Sequence, residues 1–134
     1  MIQSAWNGIH DRFDAENTLQ AALTGGFYFQ ELAADVASPW GVGWIDGVVP
    51  DHYMGGAAAT IEDMSVRIQV FSRATDGGTE IADLIVKVMD CFDESSLTIS
   101  GFTSIRMGRT AVAPILFIDN IWQGTVLYDV IFAA

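Results

Sequence analysis

The side chains with the greatest capacity for chemistry in this sequence are His10, His52, Cys91 and two acidic pairs, Glu62-Asp63 and Asp93-Glu94. Two histidines with a carboxylate can hold a metal, but His10 beside Asp11 and the distant His52 lack the short, regular spacing of a ligand set. A lone thiol becomes a nucleophile only when a base or cation stabilises the thiolate. No motif arranges a base near Cys91, which sits one residue before Phe92 on an apolar helix and reads as a buried structural thiol. Paired carboxylates can share acid and base work. On a regular strand, however, Glu62 and Asp63 face opposite ways, and Asp93-Glu94 reads as a polar helix end. The glycine clusters "TGGF", "MGGA" and "DGGT" lack the spacing that aims successive backbone amides at a phosphate. No catalytic residue, metal site or cofactor is therefore expected, and the reading is of a non-enzyme.

Stepping from these residues to their supports, Ile2, Ala5, Trp6, Ile9 and Phe13 form a helix stripe, extended by Leu19, Ala22 and Leu23 after an irregularity near Asp14. Gly25-Gly26 ends it. "FYFQELA", 27 to 33, reads as a short strand or extended edge. From Ala34 to Ala59, Pro39, Pro50 and five glycines predict a strand within "WGVGWIDGVV" followed by a long loop or flexible hairpin. A long strand covers about Thr60 to Ser72. The surest helix begins near Thr79, with Ile81, Leu84, Ile85, Val88, Met89 and Phe92 on one stripe opposite Glu80, Asp83, Lys87 and Asp90. "SLTISGFTSIRMGRT" reads as a strand with a bulge at Gly101, and the chain closes with a hairpin about Asp119-Asn120. The predicted fold is α+β, with two helices on one face of a mostly antiparallel sheet and a long flexible loop or hairpin, in one domain over residues 1 to 134.

"VRIQVFSR", 66 to 73, poses a question. Val66, Ile68 and Val70 point to one side as ordinary core, while Arg67, Gln69, Phe71 and Arg73 point to the other. Two of only six basic residues thus share a face with an aromatic in a chain carrying 17 acidic residues and a net charge of −11. That balance argues against gripping a nucleic-acid backbone, since phosphate binding relies on lysine and arginine. The single cysteine excludes an intramolecular disulfide, and the longest dense apolar run, "AVAPILFI" from 111 to 118, is too short for a membrane helix. The N-terminal residues lack the basic start and continuous apolar run of a secretory signal, so a soluble protein folded in the cytoplasm is expected. Trp40, Trp44, Tyr53, Phe71 and Trp122 are large aromatics at positions that regular burial does not explain, which suggests an interface.

"AWNGIHDRF", "LQAALTGGFYFQELA", the Pro39-Trp40 step, "VRIQVFSR" leading into "TEIADLIVKVMDCFDE", and the closing "WQGTVLYDVIF" together resemble the tail-terminator, or tail-completion, proteins of long-tailed bacteriophages. The resemblance covers nearly the whole chain in order. It implies a virion protein assembled in the host cytoplasm as a ring, usually of six copies, at the head-proximal end of the tail tube. Its partners would be further copies of itself, the tail-tube protein and the head-tail connector or neck proteins.

A head-to-tail ring needs two different complementary patches per subunit. Arg67, Phe71 and Arg73 are expected on one, with Asp83, Asp90 and Glu94 as acidic counterparts, and Trp40, Trp44, His52 and Tyr53 in a loop contacting tube or neck. Six copies would sum to roughly −66, a lumen that DNA crosses without specific binding. Other readings are a connector, neck or tail-tube protein, or a non-viral small-molecule binding module using Trp40, Trp44 and Tyr53 as a pocket.

Overall fold

A computed structural model describes residues 2–31, 36–52, 60–95, 97 and 103–133. Three helices, α1 (Ile2–Ala15), α2 (Asn17–Ala22) and α3 (Thr79–Phe92), accompany six strands: β1 (Phe27–Phe29), β2 (Trp40–His52), β3 (Thr60–Ser72), β4 (Thr103–Val112), β5 (Leu116–Ile118) and β6 (Ile121–Ala133). The α+β architecture matches the sequence reading. The first predicted stripe is two helices rather than one, because Glu16 is extended (φ −102°, ψ 96°) and interrupts the ladder between α1 and α2.

The strands form one sheet in the order β1-β2-β3-β6-β4, with β5 continuing the β4 edge alongside β6. Every pairing is antiparallel except β1 with β2. The last strand therefore lies inside the sheet, between β3 and β4. β5 and β6 join through Asp119 and Asn120, both at positive φ (54° and 62°), as a two-residue hairpin turn matched to strand twist requires. The expected bulge at Gly101 lies outside the described residues. β4 instead has irregularities between Ser104 and Arg106 and between Arg109 and Ala111.

All three helices cover one face of the sheet. Ala5, Trp6, Ile9, Phe13 and Leu19 meet the α3 stripe Ile81, Leu84, Ile85, Val88 and Phe92 over Met64, Val66, Ile68 and Val70 of β3 and Val126, Tyr128 and Val130 of β6. Gly43 makes room for this layer. A Cβ there would lie 2.5 Å from the Trp6 ring, which stacks on Phe29 with centroids 4.4 Å apart. Small residues on the inner side of β2 are the condition for seating a tryptophan directly against the backbone.

The strand expected within "WGVGWIDGVV" is present, and residues 53 to 59, expected as loop or hairpin, lie outside the described residues. Residues 40 to 52 are strand β2, pairing with β3 from Trp40 opposite Phe71 to His52 opposite Thr60, with a bulge between Ile45 and Gly47. The alternation Trp-Gly-Val-Gly-Trp explains it: bulky side chains occupy one face and bare backbone the other. Gly41 and Gly43, which read as punctuation, are close-packing positions.

Candidate functional site

The outward face of the 66–73 strand has its partners within the chain. β2 lies alongside β3 so that Trp40 stands opposite Phe71, Val42 opposite Gln69 and Trp44 opposite Arg67. The Trp40 and Phe71 rings stack with centroids 5.1 Å apart and planes 14° from parallel. Arg67 donates from Nε and Nη2 to the two carboxylate oxygens of Asp46, each at 3.2 Å, and its guanidinium lies 4.9 Å from the Trp44 ring centroid. Trp44 Nε1 donates to Gln69 Oε1 at 2.6 Å. Arg73 lies 4.4 Å from the Trp40 ring centroid and donates from Nη1 to the Val36 carbonyl at 2.8 Å.

Trp40 and Phe71 are 3% and 7% exposed and form a second small core with Val42 on the helix-free side of the sheet. This corrects the expectation that they meet a partner: Phe71 is core, and Trp40 is a buried strand residue rather than part of a contact loop. Trp44 is also on β2, half-buried, and His52 is the last residue of that strand. Tyr53 lies outside the described residues.

Asp83, Asp90 and Glu94 are exposed on and just beyond α3. They lie on the helix side of the sheet, so the fold does not bring them to Arg67 or Arg73. Asp83 pairs with Lys87 one turn on, an exposed pair of the kind that contributes little. Between Asp83 and Asp90 lies Val86, 48% exposed.

Two buried ionisable groups tie α3 to its neighbours. Burial pushes the Cys91 thiol up to about 12, against a smaller opposing effect of the Arg12 guanidinium, so the sulfur is protonated and unreactive near neutrality. Arg12 Nε donates to the Cys91 carbonyl at 2.8 Å and the thiol contacts the Arg12 carbonyl at 3.8 Å, stitching α1 to α3. Burial, followed by a 2.8 Å hydrogen bond to Asp93 Oδ1, raises the Tyr128 phenol. Arg109 Nε lies 3.5 Å from the other oxygen of Asp93, so one carboxylate holds β6 and β4 to the end of α3. Among the described residues no group of three or more His, Cys, Asp or Glu could hold a metal, and no helix is long and apolar enough to cross a membrane.

A chain of the virion of a native gene transfer agent particle superposes with a TM-score of 0.78, covering 96% of this chain and 93% of that one at 12% identity. The likeness is one of fold. A second solved chain superposes with a TM-score of 0.63 over 97% of this chain and 95% of its own length at 13% identity. No family model and no curated protein matches the sequence.

Sequence reasoning passed over one surface. Ile115, Leu116, Phe117 and Ile118 are all 42% exposed or more, with Val112 beside them. The signal was the run "AVAPILFI" itself, weighed only as a membrane span and as a hairpin arm. Asp46 was also missed as the partner of Arg67, since a bulge places it there and bulges leave no pattern in sequence.

Proposed function

We propose that this chain is a structural subunit of a phage-like virion and, more narrowly, a tail-terminator protein. As a single domain over residues 1 to 134 it would form a ring, of six copies by the resemblance, that ends the tail tube and joins it to the neck. The observation that carries this reading is the fold likeness over 96% of the chain to a component of a gene transfer agent virion. The protonated Cys91 and the structural use of Asp93 and Tyr128 support a non-enzymatic role.

The acidic balance supports the ring lumen. At −11 per copy the protein would repel a DNA backbone passing through it, so the polymer would move without being held. His52, the last residue of β2, and Tyr53 after it are the proposed contact to tube or neck. The alternative small-molecule pocket is less well supported, because Trp40 is already engaged by Phe71 and Arg73 of its own chain.

The direct experiment is to add the purified protein to tail tubes polymerised from the tube subunit of the same phage and image them. Rings at tube ends, with growth arrested, are expected. Continued tube growth with the protein unbound would overturn the terminator reading.

A further inference from the structure

The charge on this chain is unevenly distributed along its sequence and fold. From Ser95 to Ile118 there is no acidic residue and there are two arginines, Arg106 and Arg109, leaving a net −13 for the rest of the chain. That acid-free stretch contains β4 and β5, the open edge of the sheet, and ends in the exposed apolar residues Val112 and Ile115 to Ile118. Phe117 and Ile118 are each 55% exposed, and since neighbouring strand residues face opposite ways, β5 presents apolar side chains on both its sides. Sheet edges are ordinarily protected by charge; here the last nine residues, 110 to 118, carry none.

The outward side of α3 has the opposite character. Ala82, Asp83, Val86 and Asp90 recur at helical spacing and are all exposed, giving an apolar centre between two carboxylates. Among the described residues nothing covers this stripe, because α3 buries its other side against β3 and β6.

We infer that the β4–β5 edge of one copy docks on the outward face of α3 in a second copy. Leu116, Phe117 and Ile118 would seat against Ala82 and Val86, with the acid-free edge beside the carboxylates of Asp83 and Asp90. Charge decides in favour of a second copy, since an edge free of acids complements the strongly acidic remainder of the same chain. Two edges meeting each other would bring uncharged apolar residues together and leave the carboxylates of the α3 face unmatched. Strand addition is disfavoured as well. β5 has only three residues between Pro114 and the Asp119-Asn120 turn, and the two irregularities in β4 interrupt a continuous ladder. An edge that meets a different surface on the next copy makes a head-to-tail contact, which closes into a ring if the rotation allows. The inference rests on the ring reading above and names the two surfaces that would build it.

The test uses two variants of the full chain, an edge variant (Leu116→Asp with Ile118→Asp) and a helix-face variant (Val86→Arg with Asp90→Lys). All four positions are exposed, so circular dichroism and melting should match the parent chain. Self-association is measured by sedimentation up to millimolar concentration, for each chain alone and for the two variants mixed. The parent chain is expected to form higher species, and each variant alone to be weakened about tenfold or more. The mixture should give dimers that grow no further, because one intact edge and one intact helix face remain between them. Unweakened variants, or a mixture that forms no dimer, would overturn this pairing while the parent's self-association kept the ring reading. A helix-face variant that assembles normally beside a defective edge variant would indicate edge-to-edge pairing and also overturn it. A parent chain that stays monomeric throughout, with or without tail tubes, would remove both the pairing and the ring.

Discussion

Trp40 and Phe71 stand directly opposite each other on β2 and β3, their rings stacked with centroids 5.1 Å apart. This contact decides what the aromatic face of the 66–73 strand is for. It is the centre of a small core on the helix-free side of the sheet, closed at one end by Arg73. Truncating either ring should therefore act on stability. Phe71→Ala or Trp40→Ala is expected to cost about 3 kcal/mol, within the range for buried aromatics, as read by chemical denaturation. A variant that unfolds like the parent chain but fails to assemble would return Phe71 to the interface.

Arg73 offers a graded version of the same test. Arg73→Glu removes the cation from the Trp40 ring and its bond to the Val36 carbonyl. A loss of about 1–2 kcal/mol and a shift in tryptophan fluorescence are expected, whereas Arg73→Lys, which keeps the charge, should lose less. Equal effects of the two substitutions would show that charge over the ring contributes nothing.

Gly43 and Gly47 lie on the same strand and should respond oppositely to alanine. At Gly43 the new methyl would meet Trp6, which cannot retreat because it is packed against Phe27 and Phe29, so Gly43→Ala should cost about 1–3 kcal/mol. Nothing lies within 4 Å of a Cβ at Gly47, so Gly47→Ala should stay within about 0.5 kcal/mol of the parent. Comparable losses at both would contradict the close approach of α1 to β2.

Stability should fall in alkali. The thiol of Cys91 is raised from 9.0 to about 12 and the phenol of Tyr128 is raised from 10.0, so in both cases the folded state keeps a proton that the unfolded chain gives up. The stabilisation is complete below about pH 9 and is lost as pH rises toward the folded values, on the order of 1 kcal/mol per pH unit for each group titrating only when unfolded. Denaturant midpoints at pH 8 and pH 10.5 should show the drop, and Tyr128→Phe should make it shallower. A midpoint independent of pH over that interval would contradict the burial of both groups.

The helices and most strands were legible because their signals are periodic. Ile81, Leu84, Ile85 and Val88 mark α3 by spacing alone, and the alternation of Val126, Tyr128 and Val130 marks the inner face of β6. The interaction surfaces were harder to read because exposure depends on neighbours far away in sequence. Phe71 and Phe117 are the same residue type in strand-like surroundings, yet one is covered by Trp40 and the other is exposed at the sheet edge. Both face a tryptophan across a strand pair, Phe71 on Trp40 and Phe117 on Trp122, so what separates them is the inner place of β3 against the edge place of β5. Likewise Gly41 and Gly43 lie in the expected strand, but glycine signals both turns and close packing, and the tryptophan layer that selects the second meaning comes from α1.

The proposed assembly of this chain is a ring at the end of a tail tube. It is tested most directly by measuring the mass of the purified protein by light scattering, with and without short tail tubes, and imaging the species formed. A closed ring, formed alone or on the tube end, is the predicted result. A protein that remains a monomer at every concentration and leaves tube ends bare would contradict the account.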